Sequence, residues 1–268
     1  MTDTLVSRDD GVVTITFNRP ATKNSLSATN WNDLDRILAE VTVDPADRVV
    51  VLTGADGNFS SGADLSGGLA GSDISTLTGQ PMQGAVHEMR YVNEIARRLY
   101  RLPKPTIAAV DGVCVGVAAG LATACDLIVA SDRARFSTIF VRLGLVLDGG
   151  SSWSLPRQIG IRRAKQMAMF GDMVGAAQAL DWGLVNEVVA PDELADTARA
   201  WAQRLADGPA TALSLIKRML DGSGAQCFEE ALEEEARGQH LATLTPEFEE
   251  GKLAFAERRP PNFRGVSG

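Results

Sequence analysis

Two glycine-rich stretches of backbone have the residue types that stabilise a developing negative charge on oxygen. Residues 59–65 follow a β-branched run and place Gly62 among small side chains, so that a ligand could approach the backbone N–H groups closely. Residues 111–120 follow a second β-branched run and open an apolar helix, whose first N–H groups are unpaired at the positive end of the helix dipole. Two ordinary explanations stay open, a turn capped by Asp64 and tight strand–helix packing. Together the stretches predict a site for an anionic oxygen.

One carboxylate, Asp148, lies in the segments that should supply acid and base groups to such a site. A single carboxylate suits a 1,3-proton shift, in which it removes a proton from one carbon and returns it to another. An apolar wall of Val117, Phe140 and Leu147 would desolvate Asp148 and raise its pKa, which favours proton transfer near neutral pH. The alternative is that Asp148 caps a helix that starts at residues 149–153.

Composition restricts the classes of function. The chain has 268 residues, of which 45% are hydrophobic and 22% charged, as in a globular protein with one large core. Its net charge of -8 disfavours non-specific nucleic-acid binding, which needs a basic surface. The most apolar stretch, residues 112–125, is shorter than the roughly 20 residues that span a bilayer, and the N-terminus lacks the features of a signal peptide. We therefore expect no nucleic-acid partner and no membrane partner.

The cysteines and histidines indicate a reducing compartment and no metal site. Cys114, Cys125 and Cys227 show no CxxC spacing, and two of them lie in apolar stretches, which favours reduced thiols in a cytoplasmic protein. The two histidines, His87 and His240, form no ligand cluster, and we expect His240 to be structural.

The elements that must position these groups alternate between strand and helix in the first 190 residues, which predicts an α/β core. Helical periodicity marks residues 28–41 and 87–102, and the second of these carries Arg97 on its polar face. A long loop is expected over residues 54–84. The β-branched runs that predict strands are 12–17, 49–53, 106–110, 127–130 and 185–189.

The last third of the chain is different in character, because helical patterns replace strands from Pro191 onward. We expect a core of residues 1–190 that holds the site, and a helical region of residues 191–268 that packs on the core or on another subunit. The predicted helices of this region are 192–207, 210–220, 227–244 and 246–258.

Five groups of residues, in this order and spacing, give the chain a family resemblance that runs from about residue 11 to residue 263. It resembles the crotonase, or enoyl-CoA hydratase/isomerase, superfamily. The motifs are ITFNRP (15–20) with NSL (24–26), FSSGADL (59–65), KPTIAAVDG (104–112), LGLVLDGG (143–150) and GKLAFAERR (251–259).

The resemblance implies a spiral of ββα units with a helical C-terminal region that builds homotrimers, or dimers of trimers. It also implies an oxyanion hole for an acyl-CoA thioester, formed here by the amides of Ala63 and Val117. The family's usual residue at the second position is glycine, so Val117 departs from the pattern, and its side chain would narrow the pocket. Coenzyme A enters as part of the substrate, and no tightly bound cofactor is implied.

The same resemblance limits the reaction. The two glutamates of the family's hydratases correspond to Gly120 and Phe140, and neither of these side chains transfers a proton. Asp148 falls where several isomerases of the family have an aspartate. The family's aryl-CoA dehalogenases use an aspartate at this place as a nucleophile, with an aromatic residue eight positions earlier, a spacing that Phe140 also shows.

Substrate-binding residues follow from the resemblance as well. His87 and Glu88 could also reach an acyl pocket, although the favoured explanation for each is an exposed polar position on a helix. The resemblance implies that Lys252, Phe255 and Phe263 bind coenzyme A from a neighbouring subunit. The other implied positions are Ala21, Lys23, Ser61, Asp64, Leu65 and Phe140.

These observations predict an acyl-CoA enzyme that stabilises a thioester enolate and isomerises a double bond or a ring with Asp148. Two alternatives stay open. One is a divergent enoyl-CoA hydratase, and the other is an acyl-CoA-binding paralogue that has lost catalysis.

Overall fold

A computed structural model describes residues 2–67 and 85–266 of the chain. Residues 68–84, most of the predicted 54–84 loop, lie outside the described residues. The strands of the described part are β1 (Thr4–Asp9), β2 (Val12–Phe17), β3 (Val49–Gly54), β4 (Thr106–Val110), β5 (Val113–Val115), β6 (Leu127–Ser131), β7 (Arg135–Ser137), β8 (Val174–Gly175) and β9 (Glu187–Val189).

Between and after these strands lie helices that follow the alternation predicted for an α/β protein. The helices of the described part are α1 (Ala28–Val43), α2 (Ala85–Tyr100), α3 (Val117–Ala124), α4 (Ser151–Ile159), α5 (Ile161–Phe170), α6 (Ala176–Trp182), α7 (Leu194–Ala206), α8 (Ala210–Gly222), α9 (Phe228–Thr243) and α10 (Pro246–Glu257). The predicted helices therefore form with shifts of up to two residues at their ends.

The main sheet has the order β1-β2-β3-β4-β6-β9, in which only the β1–β2 pair is antiparallel. The central strands of this sheet are continuous apolar runs, because other elements cover both of its faces. One face, with Ile15 and Leu52, belongs to the large core that α1, α2 and α3 share. The other face, with Val51 and Ile107, packs on the alanine-rich stripe of α7.

A smaller sheet positions the second glycine-rich stretch. Its order is β5-β7-β8, with β5 and β7 parallel and β7 and β8 antiparallel. The sequence did not predict these short strands, β1, or helices α5 and α6, and it offered α4 only as the helix that Asp148 would cap. Strands of two or three residues are held by non-local pairing, which leaves no periodic signal in the sequence. The strand predicted over residues 185–189 is also shorter, since β9 begins at Glu187.

Among the described residues no strand follows β9, and the C-terminal third is helical, as predicted. Helices α8 to α10 expose large apolar side chains, and Phe255 is the most exposed of them at 88%. No helix in the described part of the chain is long and apolar enough to cross a bilayer.

Candidate active site

Parallel pairing of two loops brings the two predicted amide donors together. Ser60 and Cys114 form a parallel bridge, in which the Ser60 N–H donates to the Val113 oxygen at 2.9 Å and the Val115 N–H donates to the Ser60 oxygen at 3.0 Å. Ala63 lies three residues after Ser60, and Val117 lies three residues after Cys114. The two amides therefore lie at matching positions on the two paired segments, each three residues beyond the bridge.

The backbone turn before each donor requires glycine. Gly62 has φ of 94°, and a Cβ placed on it would lie 2.7 Å from the carbonyl oxygen of Val115. Gly116, which precedes helix α3, has φ of 61° and ψ of -130°. Residues with a Cβ rarely adopt either conformation. The two glycines allow the 62–63 turn to lie directly against the start of α3.

The Ala63 amide points away from its own strand partner. Leu26 donates to the Gly62 oxygen at 2.8 Å and accepts from the Asp64 N–H at 3.0 Å, so the Leu26–Ala63 bridge is parallel. In this pattern the central residue directs its own N–H to the opposite side. Val117 is the first residue of α3, where an N–H has no acceptor within the helix. Within residues 2–67 and 85–266, neither N–H has a protein acceptor.

Apolar side chains surround these amides. Phe140 is buried, and its ring lies 3.9 Å from the position of a Cβ placed on Gly116. The Val117 side chain is also buried and points toward Gly149, since its Cγ2 lies 3.2 Å from a Cβ placed there. Such walls exclude water, which strengthens the interaction of the amides with a developing oxyanion.

Asp148 immediately precedes Gly149, whose backbone packs against α3. Its Oδ1 is buried and has no hydrogen-bond partner among the described residues. Desolvation by burial raises the pKa of Asp148 to about 7 from an ordinary value of 3.8. Helix α4 begins at Ser151 with Gly150 as its N-cap and no side-chain cap. The alternative that Asp148 caps this helix is therefore wrong, and its carboxyl group is available for chemistry.

A cavity of about 340 Å³ borders Asp148. Helix α2 lines it with Asn93, Arg97 and Tyr100, and α4 lines it with Trp153. The rings of Tyr100 and Trp153 meet edge to face with centroids 5.2 Å apart. The sequence did not predict these lining residues of the cavity, although the spacing of residues 93, 97 and 100 places them on one side of a helix.

The two positions of the hydratase glutamates hold no carboxylate. A Cβ placed on Gly120 would lie 3.0 Å from the Gly149 carbonyl oxygen and 3.1 Å from Ser151 Oγ. Phe140 occupies the other position and is 7% exposed. Both positions are filled by packed backbone or by an aromatic ring.

Asp64 is held in the loop that carries Ala63. Its Oδ1 accepts from the N–H of Ser66 at 3.1 Å and from the Ser66 hydroxyl at 2.7 Å, and its Oδ2 lies 2.8 Å from Arg19 Nη2. The hydrogen bonds from Ser66, together with Arg19, lower the pKa of Asp64. An ionised, paired carboxylate of this kind fixes a loop and is a poor proton acceptor near neutral pH.

The structure brings some of the implied coenzyme A residues beside Ala63. The Ser61 N–H donates to the Lys23 oxygen at 2.9 Å, and the Ser61 hydroxyl donates to the Thr22 oxygen at 2.9 Å. Ala21 and Lys23 are exposed on this segment, and Leu65 follows Asp64 with 52% of its surface exposed.

The remaining implied residues lie elsewhere in the chain. Lys252 pairs with Glu249 on α10, and the Phe263 ring lies 3.7 Å from a Cβ placed on Gly251. His87 is exposed on α2, next to a partly buried Glu88, and His240 is exposed on α9. Cys114 and Cys125 are buried, Cys227 is exposed, and all three are free thiols.

Among the described residues, the fold presents two amides without protein acceptors on two packed loops. A family model described as enoyl-CoA hydratase/isomerase matches residues 7–266, and the chain belongs to this family. The predicted crotonase-like α/β fold is thereby confirmed.

Individual relatives carry different reaction names. The chain is 37% identical to a 1,2-epoxyphenylacetyl-CoA isomerase of Escherichia coli over 257 residues, 96% of each chain. It is 35% identical to a trans-2-decenoyl-[acyl-carrier-protein] isomerase of Streptococcus mutans, over 97% of each chain. The crystal structure of an enoyl-CoA hydratase from Bacillus anthracis superposes with a TM-score of 0.89 at 29% identity, covering 98% of this chain and 99% of that one.

Proposed function

We propose that this protein is an enoyl-CoA isomerase that moves a double bond, or rearranges a ring, in an acyl-CoA thioester. The observation that carries the proposal is Asp148 Oδ1, a buried carboxyl oxygen with no hydrogen-bond partner among the described residues. Gly120 and Phe140 occupy the positions of the family's hydratase glutamates, so a two-glutamate hydration mechanism has no residues here.

In the proposed reaction the amides of Ala63 and Val117 donate to the thioester oxygen. Asp148 takes a proton from the α or γ carbon, the C–H electron pair enters the conjugated system, and the negative charge collects on the thioester oxygen as a dienolate. Asp148 then returns the proton to the other carbon, and the double bond ends one position away. Charge stabilisation by preorganised donors and proton transfer by a positioned base each lower the barrier.

The electrostatics of Asp148 suit this role. A base works best when its pKa lies near the working pH, and burial raises the pKa of Asp148 to about 7. A carboxyl group with this pKa both accepts a proton from carbon and returns it. The names of the isomerases from Escherichia coli and Streptococcus mutans support the same reaction class.

We further propose that coenzyme A lies along the exposed segment that holds Ala21 and Lys23, next to Ser61, Asp64 and Leu65. The exposed apolar side chains of α8 to α10 support an assembly of several copies, as do the 88% exposure of Phe255 and its place on α10. Lys252, Phe255 and Phe263 would then reach the coenzyme A of a neighbouring subunit. In this arrangement residues 1–190 form the catalytic core and residues 191–268 the oligomerisation region.

Two assays with the purified protein test the proposal. Conversion of a 3-enoyl-CoA to its 2-enoyl isomer is the expected activity, followed by the appearance of the conjugated enoyl-thioester absorbance. Loss of that absorbance from crotonyl-CoA, without isomerase activity, would indicate a hydratase instead. Binding of acyl-CoA without turnover of either substrate would indicate a paralogue that has lost catalysis.

A further inference from the structure

We propose that Ser151 is a positioning residue, whose hydroxyl hydrogen-bonds Asp148 Oδ1 in the substrate-bound enzyme and holds the carboxyl group during proton transfer. The proposal deepens the function proposed above and rests on it.

A tight backbone turn brings Asp148 and Ser151 close together. Ser151 donates its N–H to the Asp148 carbonyl oxygen at 3.0 Å. Between them, Gly149 has φ of 56°, and Gly150 has φ of 83° and ψ of 0°, which match a type I′ turn. The first and last residues of such a turn are close in space, with Cα atoms less than about 7 Å apart.

The Ser151 hydroxyl and one Asp148 carboxyl oxygen are both buried without a partner among the described residues. Ser151 is 1% exposed, and neither its Oγ nor Asp148 Oδ1 has a hydrogen-bond partner among the described residues. Buried polar atoms without partners are rare and costly, and they often mark functional positions. Ser154, one turn further along α4, is the ordinary case, since its hydroxyl lies 3.0 Å from Thr123 Oγ1.

The position of Ser151 is fixed by tight packing. Its Oγ lies 3.1 Å from a Cβ placed on Gly120, on the buried side of α3. The hydroxyl therefore occupies the space beside the position of a hydratase glutamate.

A hydroxyl group fits both protonation states of Asp148. It donates a hydrogen bond to the ionised carboxylate and accepts one from the protonated acid, so it can hold the group through both halves of the proton shuttle. The charged and titratable groups that face the Asp148 cavity from α2 are Arg97 and Tyr100, and α3 contributes no ionisable side chain. Arg97 forms an ion pair with Glu94. Burial is the cause of the raised pKa of Asp148.

The test compares Ser151→Ala with Ser154→Ala, in which the lost hydroxyl already has a partner. For Ser151→Ala we expect kcat to fall about tenfold at unchanged KM, as for loss of one hydrogen bond to a charged group. The acidic limb of the pH profile of kcat should move to higher pH, because the ionised form of Asp148 in the substrate complex loses a donor. The Tm should stay the same or rise, since the lost hydroxyl has no partner in the free enzyme. Ser154→Ala should lower the Tm and leave the pH profile in place.

Ser151→Cys, which keeps a weak donor at nearly the same volume, should give intermediate kinetics and serves if the alanine variant does not fold. A Ser151→Ala enzyme with wild-type kcat and pH profile, measured beside an inactive Asp148→Asn enzyme, would overturn the role of Ser151 alone. Full turnover by Asp148→Asn would overturn the proposed function, and the role of Ser151 with it.

Discussion

Gly120 and Gly149 are in direct backbone contact, because a Cβ placed on Gly120 would lie 3.2 Å from the Gly149 Cα and 3.0 Å from its oxygen. This contact joins helix α3, which presents the Val117 amide, to the loop that carries Asp148. A side chain at residue 120 would separate the two. The backbone contact leaves no room for a larger side chain at residue 120 unless the loop that carries Asp148 shifts.

Gly120→Glu should accordingly destabilise the protein and should not create a hydratase. Overpacking of a buried site costs about 1–3 kcal/mol, and an unpaired buried carboxylate adds to that cost. Urea unfolding measures the loss. Gly222→Glu is a suitable control, because the nearest atom to its Cβ position is 3.8 Å away. Equal stability of the two variants, or new hydratase activity in Gly120→Glu, would contradict the packing argument.

Gly62→Ala should impair catalysis more than binding. At φ of 94° and 2.7 Å from the Val115 oxygen, a methyl group forces the turn to shift and displaces the Ala63 amide. Loss of one oxyanion donor typically lowers kcat by about 100- to 1,000-fold. Gly11→Ala provides the control, since φ is 81° there but the nearest neighbour lies at 3.4 Å, on the Arg48 side chain. Wild-type kcat in Gly62→Ala would show that the Ala63 amide is not a donor.

The contribution of Asp148 to the stability of the free enzyme should fall as pH rises from about 4 to about 7. The pKa of Asp148 is raised to about 7 by burial, so in this range the folded state binds more protons than the unfolded state. The contribution is on the order of a few kcal/mol. Asp148→Asn removes it, and the variant should be the more stable protein at pH 8. Urea unfolding at pH 5 and pH 8 tests this, and parallel pH dependences of the two proteins would refute it.

Arg19 should contribute more to stability than an ordinary surface arginine. It pairs with Asp64 at 2.8 Å, and its Nη1 donates to the Ser25 carbonyl oxygen at 2.8 Å in a partly buried position. Hydrogen bonds to charged groups contribute about 1.5–3 kcal/mol. Arg36, on the exposed face of α1, is the ordinary case for comparison. Arg36→Gln breaks an (i, i+4) pair with Glu40 and should cost only about 0.3–0.5 kcal/mol. If the Arg19→Gln variant were no less stable than the Arg36→Gln variant, the larger contribution of Arg19 to stability would be excluded.

The sequence predicts the central strands and long helices of this fold well, because buried parallel strands such as residues 49–53 are continuous apolar runs. Helices α4 to α6 are harder to predict. Pro156 lies inside α4, and glycine residues close together interrupt the periodic pattern. Strands β5, β7 and β8 depend on pairing across long sequence separations.

The candidate site likewise contains residues that the sequence could predict and residues that it could not. Family resemblance implies Ala63, Val117 and Asp148 as functional positions, and the Ser60–Cys114 bridge pairs the two segments that carry the first two. The unpartnered hydroxyl of Ser151 could not be predicted, because its burial depends on the packing of α3 against α4. The Tyr100–Trp153 wall likewise joins two helices that are distant in the sequence.

Asp148→Asn with a 3-enoyl-CoA substrate is the most direct test of the proposed chemistry. The account predicts that isomerisation falls by about 100- to 10,000-fold, the usual contribution of a positioned base, while calorimetry shows unchanged affinity for the thioester. Isomerisation at the wild-type rate by Asp148→Asn would contradict the account.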